Sequence, residues 1–218
     1  MKAVAAVPAK DFGAAKQRLG VRLGAAERAA LARAMLEDVL DAVCAASFQT
    51  VLVVTRDPEV EACVSRFPVE VLREESSRGH TAAVALAQAA AVARGADAFV
   101  TVPGDVPEAT PAELHAMLEA GRVAAAVFVP SASGVGTNGA LLRPPAALPL
   151  TFGEPSFAGH LAAARRHELV TAVLRLPGLG LDIDTPEDLA ALGARGSRTR
   201  SGRLLARLEA GGRLAAGG

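Results

Sequence analysis

Lysine is nearly absent from this chain of 218 residues. Three lysines stand against twenty arginines, and all three (Lys2, Lys10 and Lys16) fall within the first sixteen positions. Against that background Lys10 and Lys16 stand out, because arginine is the default cation everywhere else. Cysteine is scarce too. Cys44 and Cys63 both fall in helical patterns, which argues against a disulfide framework or a cysteine-ligated zinc. No apolar run approaches the roughly 18 residues that span a bilayer. The opening Met1-Lys2-Ala3-Val4-Ala5-Ala6-Val7-Pro8 is too short an apolar run for a secretory signal. A soluble cytoplasmic protein with no membrane partner is expected.

Charge of either sign is not in excess either. The 23 Lys and Arg balance 23 Asp and Glu, whereas a general nucleic-acid binder carries a clear basic surplus. The loop after the first strand contains neither a Gly-x-Gly-x-x-Gly fingerprint nor a Walker loop, which disfavours a dehydrogenase or P-loop enzyme. There is no Gly-x-Ser-x-Gly elbow, and His80, His115, His160 and His167 show no metal-binding spacing. What the chain has in quantity is apolar residues, 51% of the total, enough to bury a substantial core.

Apolar runs alternate with helical patterns along the chain. Strands are predicted over residues 2–7, 50–54, 69–72, 98–102, 123–129, 140–142 and 170–176, with a further extended piece over 181–184. Helices are predicted over 25–46, 57–66, 81–94, 110–119, 156–167 and 185–192. Asp57-Pro58 supplies an N-cap followed by proline, and Thr110-Pro111-Ala112-Glu113 a capping box. The repeated strand–helix order predicts one three-layer α/β domain with a mostly parallel sheet over residues 1–194. Residues 195–218 read as a basic tail, either loosely attached or a docking arm for a partner subunit or an anionic ligand, in which 204–208 could form a helical turn or two.

Ligands of such sheets gather at the carboxyl ends of the strands. There, the first loop offers Lys10, Lys16 and Arg18 within nine residues, a cationic set suited to polyphosphate, though a solvated basic loop has the same spacing. Asp105 follows the fourth strand. Asp182 and Asp184 sit at i and i+2 of an extended piece, so both carboxylates can face one point. Oxygen-only ligation with no nearby Cys or His suits magnesium better than zinc. Capping of the next helix by Asp184 or Thr185 competes with that reading and leaves Asp182 unexplained. Gly136-Thr137-Asn138 and Gly153-Glu154-Pro155-Ser156 could bring amides and hydroxyls to an anion, with Ser156 as a helix N-cap.

Several of these segments occur in the order of one family. They are Val7-Pro8-Ala9-Lys10 with Lys16-Gln17-Arg18-Leu19, Pro103-Gly104-Asp105-Val106-Pro107, Gly136-Thr137-Asn138, Gly153 with Ser156-Phe157, and Leu181-Asp182-Ile183-Asp184-Thr185-Pro186-Glu187-Asp188-Leu189. Over residues 2 to 192 the chain resembles the 2-phospho-L-lactate and phosphoenolpyruvate guanylyltransferases of coenzyme F-420 biosynthesis. The resemblance implies a nucleotide-diphospho-sugar transferase-like, Rossmann-like fold. It implies transfer of GMP from GTP to the phosphate of a three-carbon acid, with release of pyrophosphate. Phosphoenolpyruvate is favoured as acceptor because the Ala- and Arg-rich composition suits bacterial members; 2-phospho-L-lactate and 3-phosphoglycerate stay open.

The resemblance also implies roles. Asp105, Asp182 and Asp184 would hold Mg²⁺, and with Lys16 would be catalytic. Pro8, Lys10, Lys16, Arg18 and Gly79 would bind GTP; Thr137, Gly153 and Ser156 would bind the acceptor. A homodimer is compatible with it. A molybdopterin or sugar-phosphate nucleotidyltransferase of the same fold would open with a Gly-rich loop where this chain has Pro8-Ala9-Lys10. A non-catalytic GTP-binding protein would be marked by loss of the acids, and all three are present.

Overall fold

The computed structural model describes residues 1–75, 78–196 and 198–212. Ser77, which opens the segment around Gly79, and the last six residues of the expected tail lie outside them.

The sheet is built outward from β1 (Ala3–Pro8), which is buried along its whole length. It pairs in parallel with β2 (Thr50–Thr55) on one side and β4 (Ala98–Thr101) on the other. β3 (Glu70–Arg73) pairs in parallel with β2. β5 (Ala126–Pro130), β6 (Thr137–Leu142) and β7 (Thr171–Val173) complete a seven-stranded sheet in the order β3-β2-β1-β4-β6-β5-β7. β6 is antiparallel to both β4 and β5. It can be, because the Gly/Ser loop 131–136 turns the chain straight back as a hairpin, whereas parallel neighbours need a long crossover.

Period-two alternation decides which side chain meets which helix layer. Ala3, Ala5 and Val7 face a core shared with α1 (Ala25–Ala45), α2 (Pro58–Val64) and α4 (Pro111–Ala120). Val4 and Ala6 face α3 (His80–Ala93) and α5 (Ser156–Arg166). The capping box expected from Thr110 and Glu113 opens α4.

Two expectations are corrected. Residues 181–184 form no strand of the sheet; they are tied instead to the neighbouring loop by Ile183 N–H donating to the Asp105 carbonyl at 3.1 Å. The tail is not loosely attached through its described part. It forms α7 (Arg200–Ala210), which buries Leu205 and Leu208 against Leu31 and Met35 of α1 and against Leu189 and Leu192 of α6 (Pro186–Ala194). The sequence hides this because the apolar positions of α7 are few and set among arginines.

A single carboxylate fixes where α7 begins. Asp38, buried on α1, accepts from Arg200 N–H at 2.7 Å, Ser201 N–H at 2.9 Å and the Ser201 hydroxyl at 2.7 Å. Negative charge at a helix N-terminus satisfies otherwise orphan amides and complements the helix dipole. Arg200 also pairs with Glu37 and Asp41. Asp38→Ala removes the acceptor from three donors, one of them the fully buried Ser201 hydroxyl. Urea unfolding is expected to show a loss of about 3 kcal/mol; a loss under about 0.5 kcal/mol would mean α7 is held by its leucines alone.

Candidate functional site

The strand order reverses at β1. The chain steps from β1 to β2 on one side, then returns to lay β4 on the other. The loops leaving the carboxyl ends of β1 and β4 therefore diverge around a crevice, the usual ligand position of open α/β sheets. A cavity of about 250 Å³ lies there, lined by Lys10, Lys16, His80, Gly104, Asp105 and Asp184 among others. Gly104 lies where the two loops come close together. A Cβ on it would stand 3.3 Å from Leu36 Cδ1 and 3.5 Å from the Pro8 carbonyl oxygen.

Lys16 reaches across the cavity. Its Nζ donates to Asp105 Oδ2 at 2.6 Å and to Asp184 Oδ1 at 2.7 Å. The Lys16 side chain is 7% exposed, against 29% for Asp105 and 47% for Asp184. Its backbone is left-handed, with φ 55° and ψ 41°, a conformation rare for residues other than glycine and concentrated at functional sites. Burial works against its charge, but the two carboxylates outweigh burial and raise its pKa. Asp184 shows the reciprocal effect: burial would raise it, yet Lys16, with Arg18 and Lys10 contributing, holds it below the usual carboxylate value.

Asp182 is handled differently. Its Oδ1 accepts from Asn138 Nδ2 at 2.9 Å, and the same amide donates to the Gly180 carbonyl at 3.1 Å. Burial pushes the Asp182 pKa up, the Asn138 hydrogen bond opposes that, and the nearby Asp105 charge adds to the rise. The capping reading holds for Thr185 and not for Asp184. Thr185 caps α6, accepting from Asp188 N–H, and Asp188 in return accepts from Thr185 N–H at 2.8 Å. Neither Asp182 nor Asp184 is used as the cap.

The expected set of three metal ligands is thus divided. Asp105 and Asp184 converge on an ammonium, and Asp182 faces Asn138. Among the described residues, no three of His, Cys, Asp and Glu are gathered into a group that could hold a metal ion. Lys10 is exposed at the cavity and Arg18 is exposed on the same loop. Pro8 is buried at the end of β1, and Gly79 is the residue preceding α3.

The residues expected to take the acceptor form a separate, tightly bonded cluster. Thr137 N–H donates to Ser156 Oγ at 3.0 Å, and Thr137 Oγ1 lies 2.9 Å from His160 Nδ1. Thr151 N–H donates to His160 Nε2 at 3.1 Å, so Nε2 carries no proton and Nδ1–H donates to Thr137. Both Thr137 and Ser156 are buried. Gly153 sits in the exposed loop between them at φ 123°, in backbone space that only glycine occupies readily. Thr81 binds the Phe152 N–H at 2.9 Å, and His80 meets the Phe152 ring edge-on at 4.5 Å. These bonds fasten the 151–155 loop to the start of α3.

Asn138 and His160, which hydrogen-bond Asp182 and Thr137, are neighbours of the expected site residues that residue-by-residue reading left without roles. Alternation along β6 turns Thr137 towards α5 and Asn138 towards residues 180–182. His160 follows Ser156 by four and precedes Ala164 by four, all buried on one face of α5. That spacing was a legible signal for a buried, bonded histidine.

Burial pushes the His160 imidazole down to about 4. An unfolded histidine titrates near 6.5, so between these values the unfolded chain binds the extra proton. Stability is therefore expected to fall as pH drops from about 6.5 towards about 4, by on the order of 3 kcal/mol. Urea unfolding at pH 7.5 and 4.5 should show a smaller pH effect in His160→Asn than in the wild type. An equal effect in both would assign the loss to other groups.

A family model described as "Guanylyl transferase CofC like" matches residues 1–212. The chain is 41% identical over 197 residues to the phosphoenolpyruvate guanylyltransferase of Rubrobacter xylanophilus, covering 90% of this chain and 96% of that one. It is 34% identical over 209 residues to the 2-phospho-L-lactate guanylyltransferase of Methanothermobacter thermautotrophicus, covering 96% and 92%. A solved structure from Desulfovibrio desulfuricans, of the nucleotide-diphospho-sugar transferase type, superposes with a TM-score of 0.79 at 18% identity, covering 96% of each chain. That last likeness speaks to the fold alone.

Proposed function

The chain belongs to the guanylyl transferase CofC-like family, and on that premise we propose that it transfers GMP from GTP to the phosphate of a three-carbon phospho-acid in coenzyme F-420 biosynthesis in the cytoplasm. Phosphoenolpyruvate is the favoured acceptor, since the relative at 41% identity carries that name and the one at 34% is named for 2-phospho-L-lactate. The observation that carries the reading is the pair Asp105 and Asp184. They converge at the carboxyl edge between β1 and β4, beside a loop bearing Lys10, Lys16 and Arg18.

The triphosphate lies along the 8–18 loop, where Lys10 and Arg18 are exposed and free to meet its oxygens. An oxygen of the acceptor phosphate attacks the α-phosphorus of GTP in line. The new P–O bond forms as the bond to the β-phosphate oxygen breaks, and pyrophosphate departs. The attacking phosphate is ionised at neutral pH, so no side chain has to take a proton. Positioning and charge neutralisation dominate such transfers, and Lys10, Lys16 and Arg18 neutralise the departing pyrophosphate.

The donors present suit a hard divalent cation. They are carboxylate oxygens, with His80 also on the cavity wall, and two of them already surround one positive charge. Mg²⁺, when bound, supplies charge neutralisation at the reacting phosphates; Asp105 and Asp184, with Asp182 as third, are the residues that would hold it. On the acceptor side, the Thr137–Ser156–His160 cluster fixes the loop at Gly153 rather than spending its buried hydroxyls on the ligand.

Pyrophosphate release is expected with GTP and phosphoenolpyruvate, and not with ATP or CTP. The same assay with 2-phospho-L-lactate and 3-phosphoglycerate ranks the acceptors; silence with all three would overturn the proposed reaction. Asp182→Asn is expected to lower turnover by a hundredfold or more, about 2.7–4 kcal/mol of barrier, on the scale of one lost stabilising group. Near-normal turnover at saturating magnesium would remove Asp182 from the metal set.

A further inference from the structure

The cavity carries its own cation. Lys16 Nζ lies within 2.6 and 2.7 Å of oxygens from two different carboxylates, in the place where charge between Asp105 and Asp184 must be neutralised. Two like charges brought together need such a cation. A divalent ion seated between the same two oxygens would occupy the position the ammonium now fills, and its charge has the same sign, so the two compete for that place. Lys10 and Arg18, which flank Lys16 on the loop, are exposed. Lys16 is turned inward from a left-handed backbone position just before a short helical turn, Gln17–Val21. A loop carrying three cations, one of them inward, has a second partner available only when a polyanion arrives.

We propose that Lys16 is a displaceable internal counter-ion: it holds Asp105 and Asp184 in the nucleotide-free protein, and a divalent cation takes that place only as the triphosphate draws the ammonium away. The inference rests on the GTP-dependent reading above. It makes metal and nucleotide bind as a coupled pair, and it makes the bare protein a poor site for the bare cation. Coupling of this kind is reciprocal: whatever factor the nucleotide adds to metal affinity, the metal adds to nucleotide affinity.

The test uses the full chain and Mn²⁺ as probe, its free concentration read by electron paramagnetic resonance, with and without the non-transferring α,β-methylene analogue of GTP. Each analogue reading is referred to the Mn²⁺ bound by the same analogue without protein. Wild type should bind Mn²⁺ weakly alone and at least tenfold more tightly with the analogue, within the usual range of coupling. Lys16→Met removes the charge at similar length. It should raise Mn²⁺ affinity of the nucleotide-free protein by about tenfold or more, and reduce the enhancement by the analogue. Lys16→Gln, which keeps a donor between the carboxylates, gives the same reading where Lys16→Met fails to fold.

Unchanged or weaker Mn²⁺ binding by the folded nucleotide-free variants would overturn the proposal. If the analogue still strengthened Mn²⁺ binding in them, the guanylyltransferase reading would survive that failure. Absence of analogue binding to wild type with Mn²⁺ present would overturn both.

Discussion

The arrangement depends on β1 being paired in parallel on both sides. A strand bordered that way has no solvent face, so it must be apolar on both faces and small enough for helices to pack on each. The segment Ala-Val-Ala-Ala-Val-Pro meets both demands. Because the parallel neighbours β1 and β4 run the same way, their last residues deliver two loops to one edge. One loop brings the cations and the other brings Asp105. The third contributor, residues 182–184, belongs to no strand and is carried to the same edge by a backbone hydrogen bond to the Asp105 carbonyl.

The electrostatics of the cavity follow from that convergence. Acids brought together at a partly buried edge cannot all stay charged without compensation. Here the compensation is unequal: Asp184 gains a lysine and drops in pKa, while Asp182 gains only a neutral amide and rises. Two neighbouring carboxylates in one cleft with opposite shifts are a common mark of a site with chemistry to do. The hydrogen-bonded cluster around His160 is the contrast. Its polar atoms satisfy one another, and its contribution is rigidity in the loop that carries Gly153.

Much of the fold was legible because strand and helix periodicities differ, and the alternation of the two along this chain is regular. The order of strands was less so. That β6 runs antiparallel between β4 and β5 depends on a six-residue Gly/Ser turn whose geometry composition does not reveal. The acids and cations at the strand ends were legible for the same reason as the strands. Their pairing was not: Lys16 finds partners 89 and 168 residues away, and sequence spacing carries no information at that range. The docking of α7 was hidden likewise, since Asp38 and Ser201 are 163 residues apart and each looks like an ordinary surface residue locally.

One helix joins these distant features. Ala32, Met35 and Leu36 of α1 wall the cavity, and within two turns Glu37, Asp38 and Asp41 of the same helix grip α7. A rigid helix transmits a tilt along its length, so the seat of the last described helix and the shape of the cavity wall are not independent properties of the molecule. The last described helix is thereby part of the frame around the cavity between the β1 and β4 loops. A truncation before Thr199 would leave Asp38 and Asp41 repelling each other with no Arg200 between them, on the helix whose neighbouring turns wall the cavity.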